Sequence, residues 1–402
     1  MGEFSYIIRH RGEKAPSTLD ATSLQVAQAA QKFHSGFEGY AFTPLRALNN
    51  LAQNLGVSRI FVKDESFRFG LNAFKALGGG FAMGKYFAQK LNKDIGAISY
   101  DALISDEIRK ELGEVTFVTA TDGNHGRGVA WMANKLKQKS VVYMPKGSAE
   151  ERLNNILKEN ADASITDMNY DGAVHLAERN AQKYGWVLMQ DTAWDGYEEI
   201  PTWIMQGYMT LSYEIYKQLE EIRQQRPTHL LLQAGVGSFA SAVLGFFASI
   251  YGDERPATII VEPGNAACLY KSAFANDGRV HFVTGDMDTI MAGLACGEPS
   301  TVSFKIIDAY ADAFLVCDDE VAAEGMRVLG NPIGDDARII SGESGAVTTG
   351  LLREIMRNEK LSEVKEKLGF DENSRVLLIS TEGDTDRENY RRIVWDGQSP
   401  SV

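Results

Sequence analysis

The stretch Glu65 to Gly80, which reads ESFRFGLNAFKALGGG, contains the residue with the clearest potential for chemistry, Lys75. The apolar run Arg59 to Val62 predicts a buried strand before it, and the run from Ala73 towards Leu91 predicts an amphipathic helix. Lys75 should therefore lie in the first turn of that helix, just after a capping residue, Asn72. The positive end of the helix dipole disfavours an ammonium group and makes a neutral, nucleophilic amine more accessible, as a Schiff-base lysine requires. A surface lysine is the simpler interpretation, but glycines follow this one closely.

A second stretch, Thr121 to Gly126, reads TDGNHG and lies between a predicted strand and a predicted helix. Turns of this kind are where α/β proteins bind ligands, and their backbone N–H groups can hold a carboxylate. The same spacing is explained equally well by a tight turn in which Asp122 caps the helix. Both interpretations stay open on the sequence alone.

A third stretch, Gly235 to Phe239 (GVGSF), also joins an apolar predicted strand to a predicted helix. Glycine lets the backbone approach a ligand closely and a helix N-terminus supplies N–H donors, so the stretch can bind a phosphate. The run Gly235 to Ala240 also fits G-x-G-x-x-A, with Glu262 at the end of the next predicted strand, which is the dinucleotide fingerprint. A nicotinamide-dependent oxidoreductase is therefore a rival hypothesis. It leaves Lys75 and the turn at Asp122 unexplained, and we favour a monophosphate.

The chain resembles the fold-type II pyridoxal-phosphate enzymes, which include serine and threonine dehydratases and the tryptophan synthase β chain. The likeness is carried by Lys63-Asp64-Glu65-Ser66 followed by Asn72-Ala73-Phe74-Lys75, which looks like the segment that holds the cofactor lysine in that family, and it runs through nearly the whole chain. Dehydratases carry serine where this chain has Asp122, which argues against a hydroxyamino-acid dehydratase.

The resemblance implies a pyridoxal phosphate cofactor and assigns roles to single residues. Asn124 would bond to the ring hydroxyl, and Thr381 would lie beside the pyridine nitrogen, which a hydroxyl leaves largely unprotonated. Asp191, at the end of the predicted strand Trp186 to Gln190, would be a second active-site carboxylate. A loop cap for Thr381 and a solvated turn for Asp191 are the simpler alternatives. The predicted cofactor-binding residues are Phe74, Lys75, Asn124, Gly235, Val236, Gly237, Ser238, Phe239, Glu343 and Thr381, and the predicted catalytic residues are Lys75, Asp122 and Asp191.

The resemblance also implies the reaction, an elimination of ammonia from D- and L-2,3-diaminopropionate that gives pyruvate and two molecules of ammonia. Lys75 would remove the α-proton of one enantiomer, and Asp122, on the opposite face, that of the other. A second ammonium, which serine lacks, needs a nearby carboxylate when it is buried, and Asp122 and Asp191 can supply one. A serine/threonine dehydratase-like lyase and a non-catalytic protein that has kept the fold are the remaining alternatives.

Composition narrows the class of protein and its partners. A net charge of −13 without a basic block argues against nucleic acid as a partner. We find no signal-peptide core and no apolar run long enough to span a membrane, and the three cysteines, Cys268, Cys296 and Cys317, indicate neither a disulfide framework nor a zinc site. The histidines show no metal-ligand spacing. We therefore expect a cytoplasmic protein without metal ligands, and the resemblance implies a homodimer.

The order of predicted elements indicates an α/β fold, because continuous apolar strands alternate with helices as in parallel sheets covered on both faces. The 402 residues suffice for two lobes. We expect residues 1–84 and 197–402 to form a large cofactor-binding lobe and residues 85–196 a small one. Residues 1–40 are expected to be a surface arm, Pro44 to open a helix, and residues 94–113 to be an insertion.

Overall fold

The apolar runs of the chain become the strands of two separate sheets, shown by a computed structural model that describes residues 4–13 and 17–398. The strands are β1 (Ser5–Ile8), β2 (Leu45–Ala47), β3 (Arg59–Asp64), β4 (Thr116–Ala120), β5 (Lys139–Met144), β6 (Asp162–Ile165), β7 (Val187–Leu188), β8 (His229–Gln233), β9 (Ala257–Pro263), β10 (Ala313–Cys317) and β11 (Arg375–Ser380).

Helices connect these strands and cover the sheets. They are α1 (Leu24–Ser35), α2 (Asn49–Leu55), α3 (Ala76–Lys90), α4 (Tyr100–Leu103), α5 (Asp106–Leu112), α6 (Asn124–Lys135), α7 (Glu150–Leu157), α8 (Tyr170–Tyr184), α9 (Glu199–Glu221), α10 (Ser238–Tyr251), α11 (Cys268–Ala275), α12 (Thr301–Tyr310), α13 (Asp319–Gly330), α14 (Glu343–Arg357), α15 (Ser362–Lys367) and α16 (Arg387–Tyr390). Within the described ranges, none of them has both the length and the apolar character that crossing a membrane requires.

The larger sheet has seven strands in the order β1-β10-β9-β8-β11-β3-β2, and the smaller has four in the order β6-β5-β4-β7. Every pair is parallel except the two at the edges of the larger sheet, where β1 pairs with β10 and β2 with β3 in antiparallel register. Parallel strands need helical crossovers that cover both faces, which is why β8 is buried along its whole length. The strands of the smaller sheet are consecutive in the chain, and the exact lobe boundaries stay a prediction.

The N-terminal segment is not the surface arm that its polar composition suggests. Strand β1 extends the larger sheet, and α1 packs against α9 with Ala27, Ala30 and Phe33 buried. The prediction was wrong because the apolar residues of α1 are spaced along one helical face and its glutamines take the other.

One further local prediction was wrong, and the insertion expected at residues 94–113 stays a prediction. Pro44 precedes strand β2 instead of opening a helix, and its carbonyl accepts a hydrogen bond from the Asp64 N–H at 2.9 Å. A proline is tolerated there because β2 is an edge strand, where no second neighbour needs the missing N–H. The segment 94–113 contains α4 and α5, and the Ser99 and Ser105 hydroxyls accept hydrogen bonds from the first turns of these helices.

Candidate active site

The chemically important turns meet at the carboxyl ends of the strands of both sheets, where α/β proteins bind their ligands. A cavity opens there between the two sheets. It is lined by every predicted site residue except Glu343, namely Phe74, Lys75, Asp122, Asn124, Asp191, Gly235, Val236, Gly237, Ser238, Phe239 and Thr381. Residues far apart in the chain are therefore brought into one site.

Lys75 immediately precedes α3 and does not lie inside its first turn. Asn72 does not cap this helix, since its backbone is left-handed, with φ of 61°, and its side-chain amide donates to Asp384 Oδ1 at 3.1 Å. The backbone of this loop is instead tied to the end of β11, because the Phe74 N–H donates to the Thr381 carbonyl at 3.2 Å. The loop that carries Lys75 is thus attached to the strand that carries Thr381.

The Lys75 amine is paired with a carboxylate, since its Nζ lies 2.5 Å from Asp191 Oδ2. Burial by itself lowers the pKa of Lys75, but the Asp191 carboxylate outweighs it and raises that pKa well above its ordinary value. In the same pair, the Lys75 ammonium outweighs burial and holds the pKa of Asp191 well below its usual range. The expectation of a neutral amine was therefore wrong for the free side chain, because a contact charge is stronger than the partial charge of a helix end.

His125 adjoins this pair and was missed as a site residue by the sequence reasoning. Its Nε2 lies 2.8 Å from the Met189 carbonyl, and burial lowers the pKa of the ring, so the neutral imidazole donates from Nε2. Its Nδ1 lies 3.8 Å from Asp191 Oδ2 and has no hydrogen-bond partner within the described part of the chain. The position of His125 in the TDGNHG motif was the available signal, but an active-site role cannot be told from a packed core histidine by sequence.

Asp122 faces the cavity and does not cap α6. The Thr121 hydroxyl takes that role, accepting hydrogen bonds from the N–H groups of Gly123 and Gly126, each at 2.9 Å. Asp122 Oδ2 instead accepts a hydrogen bond from Arg152 Nη1 at 3.2 Å. The carboxylate is therefore available to the cavity, and the capping interpretation of Asp122 is excluded.

Asn124 is held by a residue whose role the sequence did not indicate, Glu382. The Asn124 amide donates to Glu382 Oε2 at 2.5 Å, and the Ser344 N–H donates to the other carboxylate oxygen at 3.2 Å. Glu382 also lines the cavity. Its place directly after Thr381 was the only sequence signal.

The residues around the cavity fit pyridoxal phosphate. Thr381 Oγ1 accepts a hydrogen bond from Gln233 Nε2 at 3.0 Å, so the hydroxyl proton is left to donate to a ring nitrogen. Gly237 has φ of 100°, and α10 begins at the next residue, so the N–H groups of its first turn are available to a phosphate. A Cβ on Gly235 would lie 3.1 Å from Cys296 Sγ, so a side chain there would require its neighbours to move by a few tenths of an ångström.

Glu343 is the predicted cofactor-binding residue that the structure keeps apart from the others. It starts α14, and its Oε1 accepts a hydrogen bond from Asn389 Nδ2 at 2.6 Å. It lines a second space, called here the outer cleft, which shares Asp122 and Tyr170 with the cofactor cavity and is also lined by Arg152. Burial raises the pKa of Glu343 to about 7. Its role in cofactor binding stays a prediction.

Comparison with known proteins identifies relatives along nearly the whole chain. The family model for pyridoxal-phosphate dependent enzymes matches residues 37–382. The diaminopropionate ammonia-lyase of Salmonella typhimurium is 52% identical over 398 residues, which cover 99% of this chain and 98% of that protein. The diaminopropionate ammonia-lyase of Escherichia coli K12 is 51% identical over 92% of each chain.

Solved structures agree with these relatives. The holo form of diaminopropionate ammonia-lyase from Escherichia coli superposes with a TM-score of 0.92 at 47% identity and covers 99% of both chains. Threonine deaminase isoform 2 from Solanum lycopersicum superposes with a TM-score of 0.71 at 18% identity over 97% of this chain and 96% of its own. At that identity the likeness extends to the fold alone.

Proposed function

The chain belongs to the diaminopropionate ammonia-lyases, within the pyridoxal-phosphate dependent enzymes, and on that premise we propose that it eliminates ammonia from both enantiomers of 2,3-diaminopropionate. One observation carries the proposal beyond family membership. Two candidate bases, Lys75 and Asp122, line the same cavity but are supplied by loops that follow strands of different sheets. Bases on separate walls can reach α-protons of opposite configuration.

Pyridoxal phosphate, when bound, acidifies the α-proton of an amino acid and accepts the electrons released as that proton leaves. Lys75 would anchor it through the amine and, once displaced by the substrate amine, would take the α-proton of one enantiomer. The β-carbon–nitrogen bond then breaks, and the β-ammonium leaves as neutral ammonia with the bonding electrons. The 2-aminoacrylate that is released reacts with water to give pyruvate and the second ammonia.

Asp122 would take the α-proton of the D-enantiomer. Its carboxylate faces the cavity and makes no bond to the helix that follows it, so it is available as an acceptor. Asp122, Asp191 and Glu382 together give the cavity three carboxylates. Such a set favours a substrate with a second ammonium over one with a hydroxyl, since a buried ammonium needs a counter-charge.

Thr381 would keep the pyridine nitrogen unprotonated by donating its hydroxyl proton to it. Thr381→Asp should protonate that nitrogen and slow elimination several-fold, because a carboxylate favours the charged form of its partner. Thr381→Ser, which keeps the hydroxyl, is the control and should retain the wild-type absorption spectrum of the holoenzyme. An unchanged rate and spectrum in Thr381→Asp would mean that Thr381 does not contact the ring nitrogen.

The proposal is tested by Asp122→Asn assayed on separate enantiomers. Pyruvate formation from the D-isomer should fall by roughly 10²–10⁴-fold, as expected for loss of a positioned general base. The L-isomer should lose less, because Lys75 serves it. Asp195→Asn, a change at an exposed aspartate outside the cavity, is the control.

Equal losses on both enantiomers would make Asp122 a counter-charge for substrate binding and not a stereospecific base. No loss on either would exclude it from the reaction. Rapid turnover of D-serine with no turnover of diaminopropionate would overturn the substrate and favour a dehydratase.

By resemblance to the family, we also propose a homodimer and a cytoplasmic location. The chain has a mass of 44.3 kDa, so sedimentation of the holoenzyme at that mass would exclude the dimer. Fractionation of the native source cells would test the location, and recovery outside the cytoplasm would contradict it.

A further inference from the structure

We propose that Arg152 is a positioning residue that holds the Asp122 carboxylate in place, and thereby sets the activity on the D-enantiomer. Arg152 lies on α7, thirty residues beyond Asp122 and outside every motif that the sequence indicated. The inference rests on the proposed role of Asp122, and it adds a residue that acts only through that carboxylate.

The Arg152 guanidinium donates hydrogen bonds to two oxygens of Asp122. Arg152 Nη1 lies 3.2 Å from Asp122 Oδ2 and 3.5 Å from the Asp122 carbonyl oxygen. Arg152 is only 7% exposed, so this contact is shielded from solvent, unlike a surface ion pair. Its Nε has no hydrogen-bond partner within the described residues, which leaves Asp122 as its hydrogen-bonded carboxylate.

The aliphatic part of Arg152 packs against the same turn. Gly123 has φ of 150°, and a Cβ placed on it would lie 2.9 Å from Arg152 Cδ. The missing side chain of Gly123 therefore makes room for the arginine stem. The turn is held by packing on Gly123 and by hydrogen bonds on Asp122, so both its backbone and its carboxylate are fixed.

Arg152 is also the cation that the surrounding carboxylates share. Burial by itself lowers the pKa of Arg152, but Glu382, Asp122, Glu343 and Asp386 together raise it. Glu382 and Glu343 are each 2% exposed and come from the elements of the larger sheet. Without the guanidinium, the carboxylates of Asp122 and Glu382 would line the same cavity with less compensating positive charge.

Other charged groups also surround Asp122. Lys75 is the second cation near it, and Asp191 pairs with Lys75. His125, Tyr170 and Glu382 line the same cavity. Turnover of the L-isomer, which by the proposed function does not use Asp122 as its base, reports in the same protein any change to the cavity as a whole.

The experiment compares Arg152→Gln, Arg152→Lys and the control Arg255→Gln in the holoenzyme, with kcat and KM measured for each enantiomer. Arg255 is a matched control because it is as buried as Arg152 and pairs with Asp312 at 2.6 Å, away from the cavity. In Arg152→Gln, kcat/KM for the D-isomer should fall by up to about 10²-fold, since a displacement of about 1 Å can cost that much. The L-isomer should change little, and Arg152→Lys should restore part of the D-activity.

The division of the effect between kcat and KM separates positioning from a merely structural role. On the D-isomer, Arg152→Gln should lower kcat more than it raises KM, because a displaced base slows proton removal from the bound substrate. For the L-isomer, kcat and KM should both change little. Arg255→Gln should lower stability without changing the ratio of D- to L-activity.

A double-substituted variant distinguishes failure of this inference from failure of the proposed function. In the Asp122→Asn background, Arg152→Gln should cause no further loss on the D-isomer, because two residues that act through one carboxylate are not additive. Equal losses on both enantiomers, or full additivity with Asp122→Asn, would overturn the role of Arg152. If Asp122→Asn alone affects both enantiomers equally, the proposed base has failed instead, whatever Arg152 does.

Discussion

Two lysines, the buried Lys63 and the half-buried Lys75, lie twelve positions apart in the chain and have the same chemistry but different surroundings. Lys63 makes three hydrogen bonds at 2.7–2.8 Å, to the Thr43 carbonyl, Glu214 Oε2 and Gln218 Oε1, and its side chain is fully buried. Lys75 pairs with Asp191 and keeps 18% of its side chain exposed to the cavity. All three ammonium protons of Lys63 are therefore donated in hydrogen bonds. Lys75 has one carboxylate partner beside a cavity, and it can exchange that partner for another.

The carboxylate partners of the two lysines differ in the same sense. Glu214 binds Lys63 and also receives two hydrogen bonds from Arg68, each at 2.8 Å. Glu65 accepts two more from the same guanidinium. This closed set of two acids and two bases supports the loop that leads to Lys75. The comparison teaches that full pairing makes a buried charge structural, and that a single pairing beside a cavity leaves it available for chemistry.

The largest expected effect is on activity, in Lys75→Ala. Turnover of both enantiomers should fall to background, because the variant loses the cofactor anchor and one base together, and the base alone contributes about 10²–10⁴-fold. Lys90→Ala, at the exposed end of the same helix, is the control. Pyruvate formation at wild-type rates by the Lys75 variant would refute the central assignment.

The next effect is on stability, in Glu214→Gln. Removing one partner of a buried ion pair leaves Lys63 and Arg68 poorly compensated, and the free energy of unfolding should fall by about 3–5 kcal/mol. Denaturant unfolding measures it, with Glu220→Gln as the exposed control. The folded fraction should keep its preference between enantiomers. A changed preference between enantiomers would mean that the ion pairs around Lys63 influence the site around Lys75.

Acid titration sharpens this result. Burial by itself raises the pKa of Glu214, but the charges of Arg68 and Lys63 outweigh it and lower that pKa to about 2. A depressed carboxyl pKa contributes stability above the unfolded value of about 4.3, and that stability is lost as the pH falls towards 2. The unfolding free energy of the wild type should therefore decline over this window more steeply than that of Glu214→Gln. Parallel curves would contradict the assigned pKa.

The smallest expected effect is in Asp191→Asn, read as the rate at which apoprotein captures pyridoxal phosphate. The Asp191 carboxylate raises the pKa of Lys75, so its removal should lower that pKa and increase the neutral amine. Capture at fixed pH should be faster by about tenfold for each pKa unit removed. Absorbance after mixing measures this rate, with Asp195→Asn as the control, and an unchanged rate would mean that Asp191 does not hold Lys75 protonated.

The sequence by itself determined the family, the α/β architecture and the cofactor, and all three are confirmed. The family and the cofactor came from the resemblance that short contiguous stretches such as Asn72-Ala73-Phe74-Lys75 carry, whereas spacing alone left TDGNHG and GVGSF open between alternatives. The periodicity of apolar residues likewise sufficed for most strands. The roles of single residues and the lobe boundaries stay predictions.

Only the tertiary structure decided which charges meet. Asp191 is more than a hundred residues from Lys75, and Arg152 lies on α7, thirty residues beyond Asp122, so no local pattern predicts either pair. The protonation of Lys75 follows from such a pair, because a carboxylate at 2.5 Å outweighs the helix end that the sequence showed. The strength of such an ion pair depends on the distance between residues that are remote in the chain. That distance is set by how the two sheets and their helices pack, and it cannot be read from a local sequence pattern.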